Sequence, residues 1–84
     1  MRKTQSQKQR QAKEEMDMLW KNILVMLIRN DGTISTRDII QAGMKYKGKN
    51  IWSKEARDIA VQLENMGKVK LHEGIRGAYT ITLL

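Results

Sequence analysis

The chain contains no cysteine, which excludes disulfides, thiolate metal sites and thiol nucleophiles. His72 is its only histidine, so a metal site with two histidine ligands cannot be assembled. The longest apolar run, Ile23 to Ile28, is far too short to span a bilayer. Gln-rich polar sequence follows the basic N-terminus where a signal peptide would need an apolar stretch. There is no Gly-rich phosphate loop, no serine nucleophile beside a histidine and no acid cluster with metal spacing. Asp38, Asp58 and Glu64 fall on separate elements. These absences argue against an enzyme, a metal, a cofactor and a small-molecule substrate. The expectation is a soluble cytoplasmic protein with no attachment to membrane.

What is present is positive charge. Sixteen Lys and Arg stand against nine Asp and Glu in 84 residues, a formal net charge of +7. An excess of that size attracts polyanions. Residues 1–13 hold five of the positive charges (Arg2, Lys3, Lys8, Arg10 and Lys13) and no negative one. Lys45, Lys47 and Lys49 form a second cluster. The length fits one small domain. Residues 1–11 lack an apolar anchor and read as a basic flexible arm, or a frayed helical extension, ahead of a domain over 12–84.

From Ala12 to Arg29 the spacing is helical, with Met16, Leu19, Trp20, Ile23, Leu24, Leu27 and Ile28 on one face. Asn30-Asp31-Gly32 ends it. Thr33-Ile34-Ser35 reads as a short strand. Ser35 then caps a second helix, Asp38 completes a shortened capping box, and Ile34 and Ile39 form a hydrophobic staple. Gly43 stops that helix. Met44 to Trp52 reads as a basic, exposed connector. In it, Tyr46 suits either stacking on a base or packing against the domain. A third helix, capped by Ser53 and running to about Met66, puts Ala56, Ile59, Ala60, Leu63 and Met66 on its inner side. Lys54, Arg57, Asp58, Val61 and Asn65 fall on the outer side. Val69 and Leu71 alternate with Lys70 and His72, and Tyr79, Ile81 and Leu83 alternate with Thr80 and Thr82, which predicts a terminal hairpin. Both tryptophans are expected in the core, His72 on an exposed strand face, and the methionines as gap-fillers.

The fold class so read is mainly α with a C-terminal β-hairpin, in the order α-β-α-α-β-β. That order, the capped Ile34–Ala42 segment and the junction Leu63-Glu64-Asn65-Met66-Gly67-Lys68-Val69 resemble the winged helix-turn-helix superfamily, which includes small transcription regulators. The connector is longer than the minimal turn of that family. The resemblance implies sequence-specific binding of double-stranded DNA, with the helix at 53–66 in the major groove and the hairpin at 69–83 as a wing on backbone or minor groove.

Carried onto this chain, the resemblance assigns Arg57, Asp58, Val61 and Asn65 to base edges: Arg57 to guanine, Asn65 to adenine, Val61 to a thymine methyl. Backbone contacts are expected from Arg37, Lys45, Lys47, Lys49, Ser53, Lys54, Lys70 and Arg76. On the first helix Gln11, Met18, Asn22 and Val25 lie opposite the core and are expected to form a homodimer interface. The competing readings are a winged-helix protein-interaction module of a larger assembly and a nucleic-acid binder without sequence preference.

Overall fold

The computed structural model describes the backbone of residues 5–84 and the side chains from Glu14 onward. Three helices pack beside an antiparallel sheet completed at the C-terminus, an α+β arrangement. The elements are α1 (Gln5–Arg29), β1 (Thr33–Ser35), α2 (Thr36–Gln41), β2 (Lys45–Tyr46), β3 (Lys49–Asn50), α3 (Ser53–Asn65), β4 (Val69–Glu73) and β5 (Tyr79–Leu83), with a 3-10 turn at Ile75–Gly77 joining the last two. Helix α1 begins well before the expected start at Ala12.

Helices α1 and α3 stop for local reasons. At the end of α1, Gly32 N–H donates to Leu27 C=O and Asn30 Nδ2 donates to Met26 C=O at 2.7 Å. Asp31 takes the left-handed conformation (φ 59°) there, a role Asp fills more readily than most residues. At the end of α3, Lys68 N–H donates to Leu63 C=O and Gly67 N–H to Glu64 C=O, with Gly67 at φ 75°. This pair of bonds is a Schellman motif, and it needs a residue without a Cβ penalty at that position. Helix α2 starts as its sequence predicts: Ser35 N–H donates to Asp38 Oδ2 at 2.8 Å.

Strand β5 lies between β1 and β4, antiparallel to both. In register, Ile34, Ile81 and Leu71 align across the three strands. Thr33, Thr82 and Lys70 make the neighbouring row, and Ser35, Thr80 and His72 the next. Successive residues of a strand face opposite ways, so the apolar row faces the helices and the polar rows face outward. Leu83 N–H donates to Gly32 C=O at 2.8 Å, tying the last strand to the turn that ends α1. One contiguous core results, in which Ile23, Leu27, Ile39, Ile59, Leu63, Val69 and Ile81 are fully buried. Truncating such a residue to alanine costs about 2–5 kcal/mol, a large part of the stability of so small a domain.

Several expectations need correction. The connector is no plain loop: β2 and β3 pair, Lys45 with Asn50 and Tyr46 with Lys49. Lys47 (φ 55°) and Gly48 (φ 76°) form the two-residue turn between them, and positive φ at both central positions matches the twist of a hairpin. The order is therefore α-β-α-β-β-α-β-β. Ile51 is buried and anchors the exit from this ribbon, whereas Trp52, expected in the core, is 62% exposed. Trp52, not Ser53, precedes the first turn of α3, and its N–H donates to Glu55 Oε2. Ile28, expected on the buried face of α1, is 64% exposed. Met66 follows the last turn of α3 and is half-exposed. Trp20 is half-buried against the core, with Lys68 Nζ 5.9 Å from its ring centroid.

Candidate nucleic-acid interface

Helix α3 carries the apolar spacing i, i+3, i+4, i+7 at Ala56, Ile59, Ala60 and Leu63, and all four are buried. That burial fixes the rotation of the helix. Lys54, Arg57, Asp58, Val61 and Asn65 are consequently exposed. Val61 is the one apolar member of this outer face and is 39% exposed.

Two side-chain bonds hold the neighbouring elements in place around α3. Glu64 Oε2 accepts from Leu71 N–H at 2.8 Å, linking the helix to β4. Thr36 Oγ1 accepts from Tyr79 N–H at 3.2 Å, linking the start of α2 to the start of β5. Thr36 is buried, so loss of its hydroxyl would leave the Tyr79 amide without a partner, at a cost of about 1–3 kcal/mol. Through these bonds the loop between β4 and β5 is brought beside the first turns of α2 and α3.

A cleft of about 210 Å³ forms where these three meet, lined by Thr36, Arg37, Ile40, Ser53, Arg57, Arg76, Gly77 and Ala78. Three of its eight lining residues are arginines and none is acidic. Arg57 leans toward the hairpin loop: its Nη1 lies 3.4 Å from the point a Cβ on Gly77 would occupy. Arg76 holds a left-handed backbone conformation (φ 57°, ψ 42°) that most non-glycine residues avoid. Of the twelve residues expected at DNA, four (Arg37, Ser53, Arg57 and Arg76) share this cleft.

The remaining residues are distributed elsewhere. Lys54, Asp58, Val61 and Asn65 stay on the outer face of α3. Lys70 is exposed in a polar row of the sheet with Thr33 and Thr82. Lys45, Lys47 and Lys49 are exposed on the β2–β3 ribbon, where Lys47 Nζ sits 5.2 Å from the centroid of the Tyr46 ring. Tyr46 itself packs against the core, the second of its two expected roles. Lys45 lines a different, shallow groove of about 630 Å³ together with Glu14, Glu15, Met18, Leu19, Asn22 and Met44. Met18 and Val25 are 63% and 46% exposed, and Asn22 is exposed beside them. The Gln11 side chain lies outside the described residues. Among the described residues no group of three or more His, Asp or Glu is placed to hold a metal ion, and no helix is long and apolar enough to cross a membrane.

Two exposed apolar residues were not anticipated near the cleft. Trp52 precedes Ser53 in the chain, and Ile75, 78% exposed, precedes Arg76. Neither falls on a periodic face, so pattern gave no indication of its exposure. No family model, no curated protein and no solved structure matches this chain.

Proposed function

We propose that the protein is a sequence-specific, double-stranded DNA-binding regulator of the winged helix-turn-helix type, with α3 entering the major groove and the β4–β5 hairpin serving as its wing. The observation that carries this reading is the two-sidedness of α3. One side is buried to the last atom, and the other presents a mixed polar and apolar row flanked by an arginine-rich cleft. Phosphate contacts position a protein on the duplex and base contacts specify its site. The outer row of α3 is of the second kind. Asn65 pairs with an adenine edge, Val61 meets a thymine methyl, and Asp58 accepts from a cytosine amino group. Lys54, in the first turn of the helix, reaches backbone oxygens, and Lys70 and the ribbon lysines add affinity that does not depend on sequence.

The protein acts as a homodimer in this reading, through Met18, Asn22 and Val25 on the outer face of α1. A two-fold dimer binds half-sites about 34–36 Å apart or a multiple of that spacing. Selection from a random duplex pool tests the proposal, and enrichment of a near-palindromic motif is the expected result. Binding of all duplexes alike would leave a nucleic-acid binder without sequence preference. Absence of binding at low salt would leave a protein-interaction module. For about six neutralised phosphates, log K should fall with log salt at a slope near −5.

A further inference from the structure

We infer that the cleft between α2, α3 and the β4–β5 loop is a seat for a single phosphate group, held by Arg37, Arg57 and Arg76 with the Ser53 hydroxyl as a fourth donor. Three arginines line about 210 Å³ with no carboxylate among the lining residues. Like charges brought together without a counter-charge repel one another, and a bound oxyanion converts that repulsion into attraction. The chemistry of the lining is selective. Guanidinium groups present planar forks that match phosphate oxygens in pairs. The first turn of the 13-residue α3 contributes Ser53 together with the positive end of the helix dipole.

Size narrows the ligand further. Pockets for drug-sized molecules run to about 300–1,000 Å³, and the smaller volume here suits a phosphate with a few waters. The backbone supports the same conclusion. Arg76 sits in a left-handed conformation (φ 57°) where glycine or asparagine would be less strained. Arg76 lines the cleft from that position.

The inference moves Arg57 from a base edge to a phosphate. The phosphate can belong to a nucleic-acid strand or be free in solution. The seat stands on the cleft itself, and only the strand as its source rests on the DNA-binding reading.

Amide and arginine side-chain resonances of the full chain, titrated with sodium phosphate against sodium chloride at matched ionic strength, test it. Expected are saturable shifts centred on Ser53, Arg57, Arg76 and Gly77. Arg57→Gln and Arg76→Asn should each weaken phosphate binding roughly fivefold. Asparagine tolerates the left-handed backbone, so the second variant removes the charge without disturbing the loop. A random-sequence duplex that displaces phosphate identifies a strand as the source. Saturable phosphate binding that the duplex leaves untouched supports the seat for free phosphate while removing this face from the DNA-binding reading. Non-saturating shifts, or shifts as large at Lys45, Lys47 and Lys49 as at the cleft, would overturn the seat. Phosphate binding lost in both variants with duplex binding unchanged would support the seat and remove a strand as its source, and phosphate binding unchanged in both variants would overturn the seat.

Discussion

Two parts of the molecule carry three positive side chains each, and they are built differently. On the β2–β3 ribbon, Lys45, Lys47 and Lys49 diverge. One faces a groove beside α1, and one rests against the ring of its own neighbour Tyr46. Around the first turn of α3, Arg37, Arg57 and Arg76 come from three separate elements and converge on one cleft. The charge is equal and the consequence is not. Ammonium groups are compact, strongly hydrated points that water already satisfies, whereas converging guanidinium forks define a place for one oxyanion. The contrast teaches that net charge alone does not say where a polyanion would be held, whereas convergence names a place to test.

The contrast can be broken or sharpened by substitution. The largest effect is expected from the double variant Arg57→Gln, Arg76→Asn, which should lower duplex affinity roughly 10–100-fold on every sequence, measured by fluorescence anisotropy at fixed salt. Its salt slope should fall by about two, one for each lost phosphate contact. Next in size is the double variant Met18→Asp, Val25→Asp on α1. Placing carboxylates on that exposed stripe should halve the sedimenting mass while leaving the circular dichroism of the monomer unchanged, and an unaltered mass would remove the face as an interface. The smallest effect is expected on the ribbon. Lys47→Gln should weaken all duplexes by about twofold or less, as an exposed charge does when its partner is screened by solvent. An effect of Lys47→Gln equal to that of Arg57→Gln would erase the distinction between the two clusters.

Much of the architecture could be read before any coordinates, and the reasons are local. The spacing of Ala56, Ile59, Ala60 and Leu63 sets which side of α3 is buried, and Asp38 three residues after Ser35 marks the start of α2. Gly67 ends α3 because the Schellman bonds require a left-handed residue there. The alternation of Val69 to Leu83 defines the terminal hairpin. What escaped was short or distant. Strands of two residues, as in the ribbon, carry no periodicity. The exposure of Trp52 and Ile28 depends on where neighbouring elements stop covering them, which their own residue types do not encode. Residues 37, 57 and 76 meet only through the tertiary fold, held by the Thr36–Tyr79 and Glu64–Leu71 bonds. Arg57 therefore read as one more member of a helix face and not as part of a cleft.

The most direct test of the account compares Arg57→Gln with Asn65→Ala on a duplex taken from selection and on a scrambled duplex of equal length. The account predicts that Arg57→Gln weakens both duplexes by the same factor. Asn65→Ala should weaken the selected duplex by about 1–3 kcal/mol and leave the scrambled one unchanged. Equal losses from both variants on both duplexes, or selected and scrambled DNA bound alike by the unmodified protein, would contradict it.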